Sequence, residues 1–277
     1  MMRWGLPFRI LDFGFLIGIY GFPSMEDIMK SVKLEEYNEA TFQKAGFDKA
    51  LLAIGSCESH GGHLPFGTDT FVSYDIAEEV AQRLENTVVV PPMWYGMSMH
   101  YRHKPMCITL SQDTLTRVIK EVIQSLVYWG IRKVLVINGH DGNTPCIEAA
   151  TRDMKLEFPD MGLAVLDAWW VTAGSLLPAD TFEVWEGLGH GGEGETSIVL
   201  AIKPHLVDMS QAKGMVPDMD PHVKLMWNFQ ELTDYGASGA PEKGTEEKGQ
   251  KMKKVLVDYL VDFVQRMDRQ GWRYEKR

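Results

Sequence analysis

Only three cysteines occur in the 277 residues, Cys57, Cys107 and Cys146, and they are scattered along the chain. That excludes a disulfide framework and a cysteine-rich zinc knuckle, and points to a reduced, cytoplasmic protein. Positive charge is also scarce: 28 Lys and Arg stand against 38 Asp and Glu, a net charge of −10. Phosphate binding needs clustered basic side chains, so nucleic acid is excluded as a main partner. Long hydrophobic runs are missing too. The nearest candidate, residues 5–22, is interrupted by Pro7, Arg9 and Asp12, and falls short of the roughly 20 apolar residues of a membrane span. Arg3 and Arg9 precede the apolar residues 13–22 as in a secretory signal, but no small-residue cleavage site follows. The expectation is an N-terminal extension over residues 1–24, then one domain over 25–277, with no membrane partner.

What is present reads as an ordinary globular chain, 45% hydrophobic and 24% charged, which excludes disorder and fibrous classes. Four short apolar runs, at residues 50–54, 87–90, 133–137 and 163–166, each end on turn residues such as Gly55, Pro91, Asn138 and Asp167. Such runs suit a mostly parallel sheet buried on both faces. Between them lie helical patterns. Leu115, Val118, Ile119, Val122, Ile123 and Leu126 form one apolar stripe, with Ser111 as its cap and Gly130 closing it. Weaker helices are expected at 74–84, 144–158 and 196–202, and a final amphipathic one at 249–269. Strand–helix alternation means an α/β architecture. Residues 209–249 lack periodicity and are expected to form one long excursion, either a lid or a subunit contact.

Ligands of open α/β sheets bind beyond the carboxyl ends of the strands. Three Gly-rich turns fall there or nearby: Gly55 to Asp69, Asn138 to Asn143, and Gly189 to Ser197. They carry Glu58, His60, His63, Asp69, His140, Asp141, His190, Glu193 and Glu195. Imidazole nitrogen and carboxylate oxygen are the donors of zinc, manganese and iron(II) sites. Glu58 and His60, one residue apart, point to the same side of extended backbone. Asp69, just before a helix, equally suits a simple N-cap. Taken singly each residue is a weak signal; together, at strand ends, they indicate a metal site.

The blocks Glu58-x-His60-Gly-x-His63-Leu-Pro-x-Gly-Thr-Asp69, Asn138-Gly-His140-x-Gly-Asn143 and His190-x-Gly-Glu-x-Glu195-Thr-Ser197 resemble those of the creatininase family of metal-dependent amidohydrolases. A softer match is Pro92-Met-Trp-Tyr95-Gly96-Met-Ser98, and the resemblance runs over residues 34–208. It implies a three-layer α/β/α sandwich, commonly hexameric, with two divalent ions (Zn, Mn or Fe(II)) per subunit. Members cleave C–N amide bonds in creatinine, in formamidopyrimidine nucleotides or in a ribosomal peptide precursor. Carried over, it implies Glu58, Asp69 and His140 on one ion and His60 with Asp69 on the other. Creatinine-cleaving members complete the second site with a Glu where this chain has Gly142, so Glu195 is the best substitute and Glu193 the reserve. The family's Gln and Pro in the first block are Ser59 and Gly62, and an aromatic that contacts creatinine is Asp141. Creatinine is therefore not the expected substrate.

The resulting expectation is a small-molecule amidohydrolase, cleaving a non-peptide cyclic amide or formamide through a metal-bridged hydroxide. His190 is the candidate proton donor, or else a hydrogen-bond partner of Glu195. His63 is assigned to support or loop packing. Ser98, His100 and Asp141 are the candidate substrate contacts, although His100 and His103 equally suit a polar loop. Cys57 belongs to no nucleophile motif and reads as a small buried residue. The alternatives are a dinuclear phosphoester hydrolase, disfavoured by the lack of Arg or Lys beside the blocks, and a non-catalytic ligand-binding member of the fold. A homo-oligomer is expected.

Overall fold

Strand β1, Lys49–Ile54, is buried at all six positions, as a strand must be when helices cover both faces of its sheet. The computed structural model describes residues 31–220, 222–223 and 225–275; the expected extension over residues 1–24 lies outside them. Beside β1 run β2 (Thr87–Met93) and β3 (Lys133–Asn138), and β4 (Gly162–Leu166) pairs with β3. All pairings are parallel, in the order β2-β1-β3-β4. Pro91 and Pro92 cannot donate to a ladder, and they fall on the edge strand β2, where the register with β1 shifts.

Alternation along the strands sorts the core into two layers. Leu51, Ala53, Val89, Leu135 and Ile137 face one cluster, packed by α2 (Thr68–Gln82), α5 (Trp169–Leu176), α6 (Glu193–Ile202) and α7 (Glu246–Arg269). Ala50, Leu52, Val88, Val134 and Val136 face the other, against α3 (Gln112–Tyr128) and α4 (Thr144–Glu157), with Phe42 of α1 (Glu39–Ala45) at its margin. The chain is the three-layer α/β/α sandwich expected.

All four strands lie on the apolar runs, although β2 continues past the expected stop at Pro91 to Met93, and Ser111 caps α3 by accepting from the Thr114 N–H. Two helices begin earlier than their patterns. α2 starts at Thr68 and α6 at Glu193, because their polar first turns are buried against the site and break the apolar stripe. Asp69 is no cap: Gly67 holds that position, and Asp69 lies inside the first turn of α2. α1, opened by an Asn38–Thr41 capping box, and the apolar α5 were not expected. The long excursion after α6 ends at Thr245, the N-cap of α7, and its described residues carry short 3-10 turns. Among the described residues, no helix is long and apolar enough to cross a membrane.

Candidate metal centre

The three Gly-rich turns meet at the carboxyl end of the sheet. A side chain at Gly139 would overlap the Asp69 backbone carbonyl, so glycine there lets the exit of β3 press against the first turn of α2. Asp69 is thereby held between the exits of β1 and β3. Its Oδ1 lies 2.8 Å from His60 Nε2, which is 3.9 Å from Glu195 Oε2. Its Oδ2 lies 3.5 Å from His140 Nδ1, itself 3.1 Å from Glu58 Oε1. Two potential donor triads result, Glu58–Asp69–His140 and His60–Asp69–Glu195, and they share Asp69. His190 approaches Glu58 and His60 to form a third grouping.

Backbone carbonyls orient the rings. His140 Nε2 donates to Met97 O at 3.1 Å and His190 Nε2 to Ser59 O at 2.6 Å, while His60 Nδ1 lies 3.3 Å from Glu58 O. The other nitrogen of each ring faces the carboxylates, the arrangement by which proteins fix metal-ligating imidazoles. Glu58 Oε1 and Asp69 Oδ2 are buried and make no well-formed hydrogen bond among the described residues, His140 Nδ1 approaching both only as an ion pair. Buried carboxylate oxygens without donors are costly, and divalent cations would satisfy both. The donor set fits two such ions.

Electrostatics point the same way. Burial pushes His60 and His140 down, but Asp69 and Glu58 respectively outweigh it and raise them to about 10 and about 9. Those protons occupy the places cations would take. Burial pushes Glu58 up, yet His140, His190 and His60 hold it well below the usual carboxylate range. Glu195, raised to about 7 chiefly by burial, and Asp69, raised by burial, complete a site short of positive charge. His190 is held well below 6.5 by burial and by the neighbouring His60, so its ring is neutral.

The reserve ligand Glu193 is engaged elsewhere. Fully buried, it binds Lys248 Nζ at 2.6 Å and the Glu183 and Val184 N–H groups at 3.1 Å. Of the two acids only Glu195 enters the cluster, where it accepts the Gly191 N–H at 2.5 Å. Gly142 is enforced by packing: a Cβ there would overlap Met97 O and His140 Nε2. A carboxylate ligand cannot be placed at 142 without moving this turn.

The three candidate substrate contacts divide. Asp141 is exposed on the rim and lines two adjoining cavities, of about 260 and 390 Å³. His100 stacks on His140 at 5.7 Å and lines the larger one. Ser98 is fully buried behind the cluster. It pairs with Ser56, which donates to Glu58 Oε2 at 3.1 Å, and lies 3.3 Å from His140 Nε2. Ser98 therefore braces two side chains of the donor cluster and lines neither cavity. His63 bonds Thr196 Oγ1 at 2.9 Å in support of α6, and His103 is exposed on a turn. Cys57 is half-buried rather than buried, its thiol pushed up by burial and by Glu58, which disfavours a thiolate. Sequence reasoning missed Ser56 and also Tyr101, whose buried ring lies 4.4 Å from both His190 and Phe229. The apolar residues Trp227 and Phe229, conspicuous within a loop, were the available signal for the wall that closes over the site.

A parallel α/β sheet with a buried acid–imidazole cluster at its carboxyl end defines an α/β protein with a candidate metal-binding site. The chain belongs to the creatininase family, whose model, described as creatinine amidohydrolase, matches residues 35–264. It is similar to the mycofactocin precursor peptide peptidase of Mycobacterium ulcerans, 28% identical over 78% of this chain and 84% of that protein. The creatinine amidohydrolase of Pseudomonas putida is 26% identical over 79% of this chain and 90% of its own length. A crystal structure of creatininase superimposes with a TM-score of 0.74 at 26% identity, covering 85% of this chain and 97% of that one. Structurally similar chains include a manganese form and a zinc–zinc form of creatininase.

Proposed function

We propose that this chain is a dinuclear metal-dependent amidohydrolase of the cytoplasm, cleaving a non-peptide C–N amide of a small molecule, either a cyclic amide or a formamide. The observation that carries the reading is Asp69, a buried carboxylate whose two oxygens face two different donor triads. Glu58 and His140 would hold one ion with it, and His60 and Glu195 the other. Histidine and carboxylate donors suit Zn, Mn or Fe(II). Such ions supply Lewis-acid polarisation of the amide carbonyl and a water acidic enough to attack near neutral pH.

The protein's own groups do the rest. His190, neutral and with Nδ1 open toward Glu58, takes the proton given up by the attacking water. It returns that proton to the departing nitrogen, so one C–N bond breaks and a carboxylate and an amine form. The Ser59 carbonyl holds the ring in register for both transfers. Trp170, Trp185, Trp227 and Phe229 wall the reaction cavity, and its volume of about 260 Å³ supports a small planar substrate. Asp141 and Gly142, where creatinine-cleaving members carry other side chains, speak against creatinine itself.

The test is protein reconstituted separately with zinc, manganese and iron(II), assayed on cyclic amides, formamides, short peptides and phosphoesters. Metal-dependent release of amine from a cyclic amide or formamide is expected. Turnover confined to phosphoesters, or to peptides, would overturn the reading.

A further inference from the structure

Beyond the reaction cavity lies a second one, of about 390 Å³, which the proposed chemistry leaves unused. The two adjoin at Asp141 and Trp227, which line both. Gln112 and Thr144 add uncharged polar groups, while Met97 and Met226 add apolar surface. Among the described residues no Lys or Arg lines either cavity. The Asp141 side chain has no hydrogen-bond or ion-pair partner among the described residues, and it is exposed at the junction. Trp227 is held edge-on to His100 at 5.3 Å, which presents an aromatic wall beside that carboxylate.

A carboxylate and an indole lining the same cavity, with no Lys or Arg in its wall, disfavour phosphate and carboxylate groups there. They attract a planar cation, which gains charge-assisted hydrogen bonds from the acid and cation–π attraction from the indole. We infer that the second cavity is a specificity subsite, in which Asp141 and Trp227 bind a cationic, nitrogen-rich group of the substrate such as an amidinium, a guanidinium or an amine. The inference rests on the amidohydrolase reading and narrows its substrate class to amides with a positively charged distal group. Asp141 acts here as a specificity-determining residue, set one position beyond His140 so that the distal group and the scissile amide are gripped from the same turn.

The probes are benzamidine and benzamide, planar and nearly isosteric, one cationic and the other neutral. Binding to the zinc-loaded protein is read by calorimetry and by tryptophan fluorescence, neither of which requires turnover. Benzamidine is expected to bind about tenfold more tightly than benzamide. Asp141→Asn should remove that preference while leaving metal content and thermal midpoint unchanged. Trp227→Phe should weaken benzamidine and abolish the fluorescence change. Equal binding of the two probes, or a preference that survives Asp141→Asn, would overturn the subsite. A protein that selects benzamidine but hydrolyses no amide would refute the amidohydrolase reading and leave the subsite standing.

Discussion

At the scale of single residues, Asp69 is the position where the proposed chemistry is most exposed to failure. A carboxylate that spans two ions cannot be replaced at one without loss at the other. Asp69→Asn should therefore reduce bound metal from two per chain to nearly none by elemental analysis; two ions retained would remove the bridging role. Glu195 and His190 should fail in different ways. Glu195→Gln removes a donor, so affinity for one ion should fall by about 10–100-fold or more. His190→Ala should keep both ions and lose roughly 10²–10⁴-fold in rate. If His190→Ala loses a metal while Glu195→Gln keeps both, the two roles are exchanged. The residue types that converge here were legible because Glu, His and Asp beyond strand ends have few other reasons to cluster. Ser98 was not, because its burial depends on Ser56, 42 positions away, and no spacing reports such a contact. Nor did the sequence separate Glu193 from Glu195: both lie in the first turn of α6, and only the position of Lys248 on α7 takes one of them away.

At the scale of elements, the strands were legible because burial on both faces writes an uninterrupted apolar run. The helix starts were not, because a first turn aimed at a polar site carries no apolar stripe. The junction of α6 with α7 makes a quantitative case. Glu193 is fully buried, and among the described residues its one cationic partner is Lys248. Removing one member of a buried pair costs about 3–5 kcal/mol. Lys248 is itself partly exposed and two backbone N–H groups still reach Glu193, so Lys248→Met should fall below that range, at about 2 kcal/mol by urea denaturation. A loss below about 1 kcal/mol, the scale of an exposed pair, would show that the junction does not depend on it. A second network ties the start of the sheet to the end of α7. Asp48 binds Lys133 Nζ at 2.7 Å and Lys49 Nζ at 2.9 Å, and both lysines lie 3.3 Å from Asp268. Burial pushes Asp48 up, but the two lysines hold it below its ordinary value. A depressed carboxylate stabilises the fold above its unfolded pKa of about 3.9, and that contribution disappears as pH falls through the folded value. Asp48→Asn should flatten the acid limb of the stability profile below about pH 4. With Asp48 45% exposed, the difference should stay within about 1 kcal/mol.

At the scale of the whole molecule, the alternation of strands and helices was enough to foresee the layered sandwich, because each layer needs its own apolar face. What the excursion between α6 and α7 does could not be read, since irregular chain has no period, and only its content of large apolar side chains stood out. The structure divides that content. Phe229 is buried and Trp227 lines the cavities, so the segment closes over the site. Val223, Leu225 and Met226 remain 71%, 77% and 77% exposed on the same segment. Leu225 and Met226 also line the second cavity; large exposed apolar side chains on one segment suit an interaction surface, and a second copy of the chain is the partner the family resemblance implies. We therefore expect a homo-oligomer by light scattering, with a hexamer as the specific expectation. The double change Leu225→Asp and Met226→Asp should lower the measured mass, since a buried carboxylate at such a contact has no cation to pair with. Because Trp227 is the next residue, the same change should also raise KM while leaving bound metal unaltered. Cleavage by protease within residues 215–226 should be slow in the native protein and fast in the double variant. A native monomer that is cut freely there, with turnover unaffected, would separate this segment from both the interface and the site.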